Sequence, residues 1–304
     1  MNRPLPQGLW PVMLTSFKSD GSIDWNGIDA ITDWYISSGA VGLFACCLSS
    51  EMYTLTPNER LRLTRRVSQR SNGRVPIVAP GTFGGDLGSQ AEFIKQMADT
   101  GVTAVVVIPN QLVAENEGEE ILRNRIERLL LLTDSIPLGL YECPLQYTRL
   151  ISPDTLRYIA PTGRFLYLKS ISSNVELVRF KIEAVRNTPL GLFNANTPTA
   201  LTSLQNGAAG LSPISANYFP ELFSWLCDSF HDCSEKTRSL QRMLTLMESI
   251  TPVKYPASAK YFLQQRGLPI HTKCRVGKIF LSRDDTMFLD NLGEIVLELI
   301  KSNL

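Results

Sequence analysis

The chain has 304 residues, of which 44% are hydrophobic and 19% charged, a composition typical of a globular protein with a sizeable core. Its 30 Lys and Arg residues against 29 Asp and Glu residues give a formal net charge of +1, which argues against nucleic acid or an anionic membrane surface as partner. No apolar run reaches the ~18 residues of a membrane-spanning helix, and the N-terminal residues do not look like a secretory signal.

The cysteines and histidines exclude the common metal sites. The six cysteines form no CxxC pair, and Cys46 and Cys47 are adjacent, which suits neither a disulfide framework nor a zinc site. Only His231 and His271 are present, too few for a site built on several imidazoles. We therefore expect a reduced, cytoplasmic enzyme that uses no transition metal.

Short apolar runs alternate with amphipathic stretches over the first two thirds of the chain. Their near-continuous hydrophobicity is typical of strands that are buried on both faces of a parallel sheet. Eight strands are predicted, at Leu9–Phe17, Val41–Cys47, Val75–Gly81, Thr103–Pro109, Ile136–Cys143, Phe165–Ile171, Leu190–Asn196 and Ala208–Ile214. Eight strands alternating with helices predict an α/β fold of the (β/α)8 TIM-barrel type. A doubly wound open sheet is the alternative, but no GxGxxG follows the first strand.

The segments between the strands carry signals for the start of a helix. Thr56-Pro57-Asn58-Glu59 is a capping box with proline at the first helical position, and Ser152-Pro153 repeats the cap and proline. After about Tyr218 the strand signals stop, and helices are predicted at Ser234–Ser249, Val253–Gly267 and Asp284–Lys301. We expect a barrel with the active site over residues 1–224, and a C-terminal helical extension over residues 225–304 packed on it.

One lysine and one tyrosine stand at the ends of neighbouring predicted strands, where barrels place their catalytic groups. Lys169 follows four large apolar or aromatic residues. If it points into the barrel, burial lowers its pKa and favours the neutral amine, which suits Schiff-base formation with a keto substrate. If it points outward, it reaches solvent or a carboxylate. Tyr141 can transfer protons near such an iminium, or can be an ordinary core residue.

Several stretches of the sequence together indicate a family. Gly8–Phe17 followed by Asp20–Asp24 looks like a first strand with an acidic-glycine turn, and Tyr141–Pro144 is similar to a YNxP motif. With Lys169 at the matching distance, the chain resembles the dihydrodipicolinate synthase/N-acetylneuraminate lyase family of class I aldolase-type barrels. The likeness runs from about residue 8 to residue 223 and, less specifically, through the C-terminal helices.

The resemblance implies roles for several residues. Lys169 is the Schiff-base lysine and Tyr141 the proton-transfer tyrosine. The family's GTTGE loop after strand two is Cys47–Glu51 here, where Ser49 matches the hydroxyl that holds the substrate carboxylate. Leu48 replaces the other hydroxyl, a member of the proton relay. The resemblance further implies a homo-oligomer, a dimer or tetramer, with neither metal nor organic cofactor.

The sequence departs from the family at positions that recognise the second substrate. Asn110 and Gln111 replace paired tyrosines after strand four, one of which reaches a neighbouring subunit's site. Gln146 replaces an arginine of the synthases, and Arg149 is close but out of register. The acidic pair that sialate lyases use is absent around residues 194–197. These differences favour neither of the two best-known family activities.

We expect Ser49 and Ser50 to bind the carboxylate of a 2-oxo acid. Cys143, two residues after Tyr141, is expected to line the pocket on the same face. Glu142 is expected to face away and to form an ion pair with a surrounding helix. Other polar side chains near the ends of strands seven and eight either contact the acceptor or cap the following helices, namely Asn194, Asn196, Ser212, Ser215 and Asn217.

The leading hypothesis is a Schiff-base-forming lyase of aldolase type, similar to dihydrodipicolinate synthase, that acts on pyruvate or a related small 2-oxo acid. Two alternatives stay open. One is a dehydratase that acts on a deoxy-sugar acid through the same iminium. The other is a barrel that binds a 2-oxo acid for regulation and turns nothing over.

Overall fold

The computed structural model describes residues 2–249 and 251–302. Its strands are β1 (Gly8–Leu9), β2 (Leu43–Phe44), β3 (Ile77–Pro80), β4 (Ala104–Val107), β5 (Leu138–Tyr141), β6 (Phe165–Ser170), β7 (Gly191–Asn194) and β8 (Gly210–Leu211). They form one parallel sheet in the order β1-β8-β7-β6-β5-β4-β3-β2. Hydrogen bonds from Val41 N to Leu9 O and from Phe44 N to Pro11 O, both 3.0 Å, join its two edges. The predicted (β/α)8 barrel is confirmed.

Helices alternate with the strands and then continue beyond them. Within the described ranges they are α1 (Trp25–Ser37), α2 (Pro57–Ser71), α3 (Leu87–Ala98), α4 (Glu119–Leu132), α5 (Pro153–Ile159), α6 (Val175–Val185), α7 (Ala200–Gln205), α8 (Pro220–Ser229), α9 (Glu235–Glu248), α10 (Ala257–Gln265) and α11 (Arg283–Lys301). The capping box at Thr56 is confirmed, since its side chain accepts from Glu59 N at 3.2 Å. None of these helices is long and apolar enough to cross a membrane.

Some elements are shorter than predicted, and proline gives the physical reason. The predicted strand Leu9–Phe17 shares only Leu9 with β1, and the predicted strand Ala208–Ile214 contains only the two residues of β8. Pro11 and Pro213 lie in these segments, and neither has a backbone N–H to donate to the strand ladder. Helix α10 starts later than predicted because residues that precede a proline, here Pro256, avoid the helical conformation.

Two ion pairs connect α10 and the residue after it to the barrel. Lys260 Nζ lies 2.6 Å from Glu51 Oε1 in the loop after β2, and both side chains are fully buried. Arg266, directly after α10, pairs with Glu221 of α8 at 2.8 Å. The predicted division between residues 224 and 225 falls within α8.

An aromatic cluster fills the barrel interior below the ends of β5 and β6. Its members are fully buried, and we call them the aromatic floor: Trp10, Phe44, Tyr167 and Phe193. The rings of Tyr167 and Phe193 stack with their centroids 4.7 Å apart, and Trp10 lies 5.4 Å from Tyr167. Since Tyr167 precedes Lys169 by two residues on the same strand, the floor lies one layer beneath that lysine.

Candidate active site

Lys169 and Tyr141 lie side by side at the carboxyl ends of two hydrogen-bonded strands. The two residues are register partners in the β5–β6 pairing, so their side chains share one face of the sheet. Both are only 3% exposed. The Lys169 Nζ atom lies 4.8 Å from the centroid of the Tyr141 ring. The amine therefore points into the barrel and not outward to solvent.

The surroundings of Lys169 are apolar. Burial lowers the pKa of its amine from the ordinary value to about 8. Among the described residues the amine has no carboxylate partner, and its neighbours include the thiols of Cys47 and Cys143. With a pKa near 8, about one molecule in ten carries the neutral, nucleophilic amine at pH 7.

Tyr141 is held as a neutral hydroxyl. Burial raises the pKa of Tyr141 well above its ordinary value, with the Cys143 thiol as the next contributor. Its ring makes an edge contact with Phe44 of the aromatic floor at a centroid distance of 5.4 Å. A neutral phenol beside an amine can accept and return a proton without forming a buried phenolate.

The loop after β2 brings two buried serines, Ser49 and Ser50, towards the site, but their hydroxyls have different partners. Ser50 Oγ donates to Met13 O at 2.5 Å, so this hydroxyl is engaged by the backbone. The Ser49 side chain is among the groups that lower the pKa of Tyr255, a residue just before α10. Carboxylate binding by Ser49 and Ser50 stays a prediction.

Tyr255 belongs to a small hydrogen-bonded group at the site. Asn217 Nδ2 donates to the Tyr255 hydroxyl at 2.8 Å, and Asn217 Oδ1 accepts from the Tyr35 hydroxyl. Burial raises the pKa of Tyr255 well above its ordinary value. Asn217 is among the residues predicted from the sequence, and Tyr255 is not. The tyrosine is contributed by the C-terminal helical region, far from any strand end.

The polar side chains at the ends of β7 and β8 form hydrogen bonds to other groups of the protein. Asn194 Nδ2 donates to Thr199 Oγ1 and to Ser203 Oγ, both at 3.0 Å. Asn196 Oδ1 accepts from Thr199 at 2.9 Å. Ser212 Oγ donates to Trp10 O at 2.7 Å. The structure thus uses these side chains to order the loops, and substrate contacts by Asn194, Asn196 and Ser212 stay predictions.

Glu142 points away from Tyr141 and pairs with a surrounding helix, as predicted. Its carboxylate contacts Lys181 of α6, and both side chains are fully buried. It also accepts from Ile151 N at 2.8 Å and from Ser170 Oγ at 2.9 Å. This set of bonds fixes β5 and its following loop against β6, and so holds Tyr141 beside Lys169.

The comparisons with known proteins agree with this geometry. Residues 5–287 match the model of the dihydrodipicolinate synthetase family. The chain belongs to the dihydrodipicolinate synthetase family. Its membership makes it a lyase of the class I aldolase type, the class that works through a lysine Schiff base.

The relatives are distant but cover nearly the whole length of the family fold. The chain is 24% identical to the 4-hydroxy-tetrahydrodipicolinate synthase of Cellvibrio japonicus over 267 residues, which is 86% of this chain and 89% of that enzyme. It is 25% identical to the enzyme of the same name from Methanococcus maripaludis, with the same coverage of both chains.

Solved structures of the dihydrodipicolinate synthase family share the fold. A prophage protein of the family from E. coli K12, solved with pyruvate, superposes with a TM-score of 0.85 at 20% identity, over 95% of this chain and 98% of the other. A monomeric dihydrodipicolinate synthase variant also gives a TM-score of 0.85, at 19% identity, over 98% and 97% of the two chains.

Asn110 and Gln111, predicted to stand where the family has paired tyrosines, have structural partners here. Asn110 Nδ2 lies 2.7–3.0 Å from three carbonyl oxygens of the loop after β5, those of Cys143, Leu145 and Tyr147. Gln111 Nε2 donates to Gln146 Oε1 at 2.9 Å. The side-chain amides of Gln111 and Gln146 are therefore bonded to each other.

Arg149 does not take the place of the missing arginine. Its guanidinium pairs with Glu119 of α4 at 3.1 Å and donates to the Glu117 carbonyl at 2.8 Å. The Arg149 side chain is thus bonded to α4 and to a residue just before this helix, outside the barrel. Within the described ranges no group of three or more His, Cys, Asp or Glu side chains could hold a metal ion.

Proposed function

We propose that the protein forms a Schiff base between Lys169 and pyruvate or a closely related 2-oxo acid, and then breaks or makes an adjacent carbon–carbon bond. The observation that carries this proposal is the isolated, desolvated amine beside the Tyr141 phenol. Two structural neighbours, the prophage protein and an Acinetobacter baumannii dihydrodipicolinate synthase, were solved with pyruvate, which supports this choice of donor.

The chemistry follows from the two side chains. The neutral amine attacks the keto carbon, and Tyr141 passes a proton from nitrogen to the departing oxygen, so that water leaves and an iminium remains. The iminium withdraws electrons from the neighbouring bond. Loss of a proton from the methyl carbon gives an enamine, which can add to a carbonyl acceptor. Ser49 is proposed to bind the carboxylate.

Reductive trapping tests the proposal directly. Incubation with pyruvate and cyanoborohydride is expected to give a single covalent adduct that peptide mapping places on Lys169. Pyruvate without reductant and the reductant with acetate serve as controls. A folded protein that acquires no adduct on Lys169 contradicts the proposal. An adduct on Lys169 without turnover of any aldehyde or sugar acid favours a barrel that binds a 2-oxo acid for regulation. Loss of water from a sugar acid, in place of pyruvate release, favours a dehydratase.

The rate of trapping is expected to rise with pH through about 8. A lowered pKa of about 8 means that the amine is mostly protonated below this pH and mostly neutral above it. Between pH 6 and pH 8 the neutral fraction, and with it the initial rate, should rise about fiftyfold, from ~1% to ~50%. Adduct formation followed by mass spectrometry measures this. A rise that begins only above pH 9.5 would show that the lysine is not desolvated.

A further inference from the structure

A carboxyl group that no cation accompanies lies at the carboxyl ends of β7 and β8. Glu248 is the last residue of α9, and Thr197 and Ser215 lie in the 3₁₀ turns that follow β7 and β8. The Thr197 hydroxyl donates to Glu248 Oε2 at 2.9 Å. It also lies 3.1 Å from Ser215 Oγ, so Ser215 is the donor in that contact. Both hydroxyls are buried, and their protons are thus directed towards Glu248.

Helix α9 is held so that Glu248 stays at this end of the barrel. Gln241 Nε2 donates to the backbone oxygen of Thr197 at 2.9 Å. Glu248 follows Gln241 by seven residues, almost two helical turns, so both side chains lie on the same face of α9. Just after the helix, Tyr218 Oη donates to Thr251 O at 2.7 Å. The position of the carboxyl group is therefore set by the fold.

Only one of the two side-chain oxygens of Glu248 is engaged. Among the described residues no group donates a hydrogen bond to Oε1, and this oxygen is not enclosed. The residue as a whole is partly exposed, so a ligand can reach it. No lysine or arginine of the described chain pairs with Glu248, and burial raises the pKa of its carboxyl group. A carboxylate held partly out of water without a cation is costly unless a ligand supplies hydrogen bonds to it.

The strand order places this carboxyl group on one side of Lys169 and Tyr141 on the other. Strand β6, which carries Lys169, lies between β5 and β7. Lys169 is the register partner of Phe193 on β7, four residues before Thr197. All these groups stand at the same end of the barrel, where the carboxyl ends of its strands meet. A reactant that approaches the substrate on Lys169 from the β7 side therefore passes the turn that carries Thr197.

We propose that Glu248 and Thr197 form the subsite for the second reactant, and that Glu248 selects an uncharged aldehyde bearing hydroxyl groups over an anionic aldehyde. The inference rests on the proposed Schiff-base function and names the class of acceptor for it. A hydroxyl of the acceptor donates to Glu248 Oε1, and the bond from Thr197 keeps the carboxyl group in place. An anionic acceptor would bring a second negative charge beside a carboxylate that has no cation. Bond formation itself stays with Lys169 and Tyr141.

The reaction with such an acceptor conserves all atoms of the two reactants. The enamine carbon bonds to the aldehyde carbon, and the aldehyde oxygen takes up one proton, which balances the proton that the methyl group of pyruvate lost. The water released when the iminium forms is returned when the iminium is hydrolysed. The product is one 4-hydroxy-2-oxo acid, and Lys169 is again a free amine.

Acceptor preference tests the inference, with pyruvate as the donor and two aldehydes as probes. D-glyceraldehyde carries hydroxyl groups and no charge, whereas succinic semialdehyde carries a carboxylate and no hydroxyl. Mass spectrometry of the products gives kcat/KM for each aldehyde, and the unmodified protein is expected to favour D-glyceraldehyde about tenfold. Equal use of the two aldehydes or preference for succinic semialdehyde overturns the inference. So does a protein that forms the Lys169 adduct but adds pyruvate to neither aldehyde.

Two variants of Glu248 separate its hydrogen bond from its charge. Glu248→Leu is expected to raise the KM for D-glyceraldehyde about tenfold to a hundredfold, the range for loss of a hydrogen bond to a charged group. Its KM for pyruvate and its trapping on Lys169 should stay unchanged. Glu248→Gln keeps an oxygen for Thr197 but removes the charge, so kcat/KM for succinic semialdehyde should rise about tenfold. If Glu248→Leu does not fold, the preference of Glu248→Gln decides.

Glu235→Gln is the matched control, because Glu235 stands at the start of the same helix and pairs with Arg238 and Arg242 on the surface. Its acceptor preference should equal that of the unmodified protein. An unchanged preference in Glu248→Gln overturns the inference. Equal rises of the KM for pyruvate and for D-glyceraldehyde in Glu248→Leu also overturn it, because Glu248 would then serve the fold alone. Absence of any Lys169 adduct in the unmodified protein overturns the proposed function instead.

Discussion

Replacing Lys169 with methionine is expected to abolish the pyruvate adduct and to make the protein more stable. Methionine fills a similar volume but has no nucleophile, and loss of a covalent nucleophile reduces turnover on the order of 10⁴-fold or more. The stability gain arises because the folded protein holds this amine in an apolar site. Mass spectrometry after reductive trapping and urea unfolding measure the two effects.

The sign and size of the stability effect follow from the pKa of Lys169. Its pKa is lowered from 10.5 to about 8 on folding, so the unfolded chain binds more protons between these values and stability rises with pH across that window. At pH 7 the amine destabilises the folded state by about 3 kcal/mol, and Lys169→Met should recover roughly this amount. The gain should shrink as the pH rises above 8 and approach zero near 10.5.

Lys278→Met serves as the control, because Lys278 is exposed and its replacement should leave trapping and stability unchanged. A Lys169→Met protein that still forms a reducible adduct would place the Schiff base on another lysine. A Lys169→Met protein that is less stable at pH 7 would show that the amine is favourably paired in the folded state.

Replacing Lys181 with methionine is expected to destabilise the protein by about 3–5 kcal/mol, because the Glu142 carboxylate then stays buried without its cation. The midpoint of urea unfolding measures this. Arg179→Met, on the same helix, removes an exposed ion pair with Glu176 and should change stability by no more than ~1 kcal/mol.

A double variant separates the loss of charge pairing from the loss of packing. Glu142→Gln with Lys181→Met removes both charges, and it should recover a large part of the stability that Lys181→Met loses. If the double variant is as unstable as the single one, packing of the lysine stem, not the unpaired carboxylate, explains the effect. Adduct formation should fall in Lys181→Met, since Glu142 holds the strand that carries Tyr141.

The strands and the proximity of Lys169 to Tyr141 could be predicted because the local sequence pattern and the fold agree. A lysine inside a continuous apolar strand points either into the barrel or outward to solvent or a carboxylate. The register of β5 and β6 places Lys169 beside Tyr141. The alternation of faces along a strand likewise predicted that Glu142 points outward to a helix. These inferences need only neighbours in sequence and the pairing of adjacent strands.

The rest of the site depends on distances that no local pattern encodes. Tyr255 enters from the C-terminal helices and meets Ser49 only in the folded chain. Ser50 and Asn194 look like binding groups in sequence, but the backbone and the adjacent loop engage them. Loop polar groups are as often structural as functional.

The buried contact between Glu51 and Lys260 has a consequence for how the protein is made. Glu51 leaves the ribosome long before Lys260. Until Lys260 has been synthesised, the Glu51 carboxylate has no cation with which to pair in the protein interior. A nascent chain that already contains all eight strands thus cannot bury the turn that presents Ser49. The ability to hold a ligand should therefore emerge only once synthesis has passed α10.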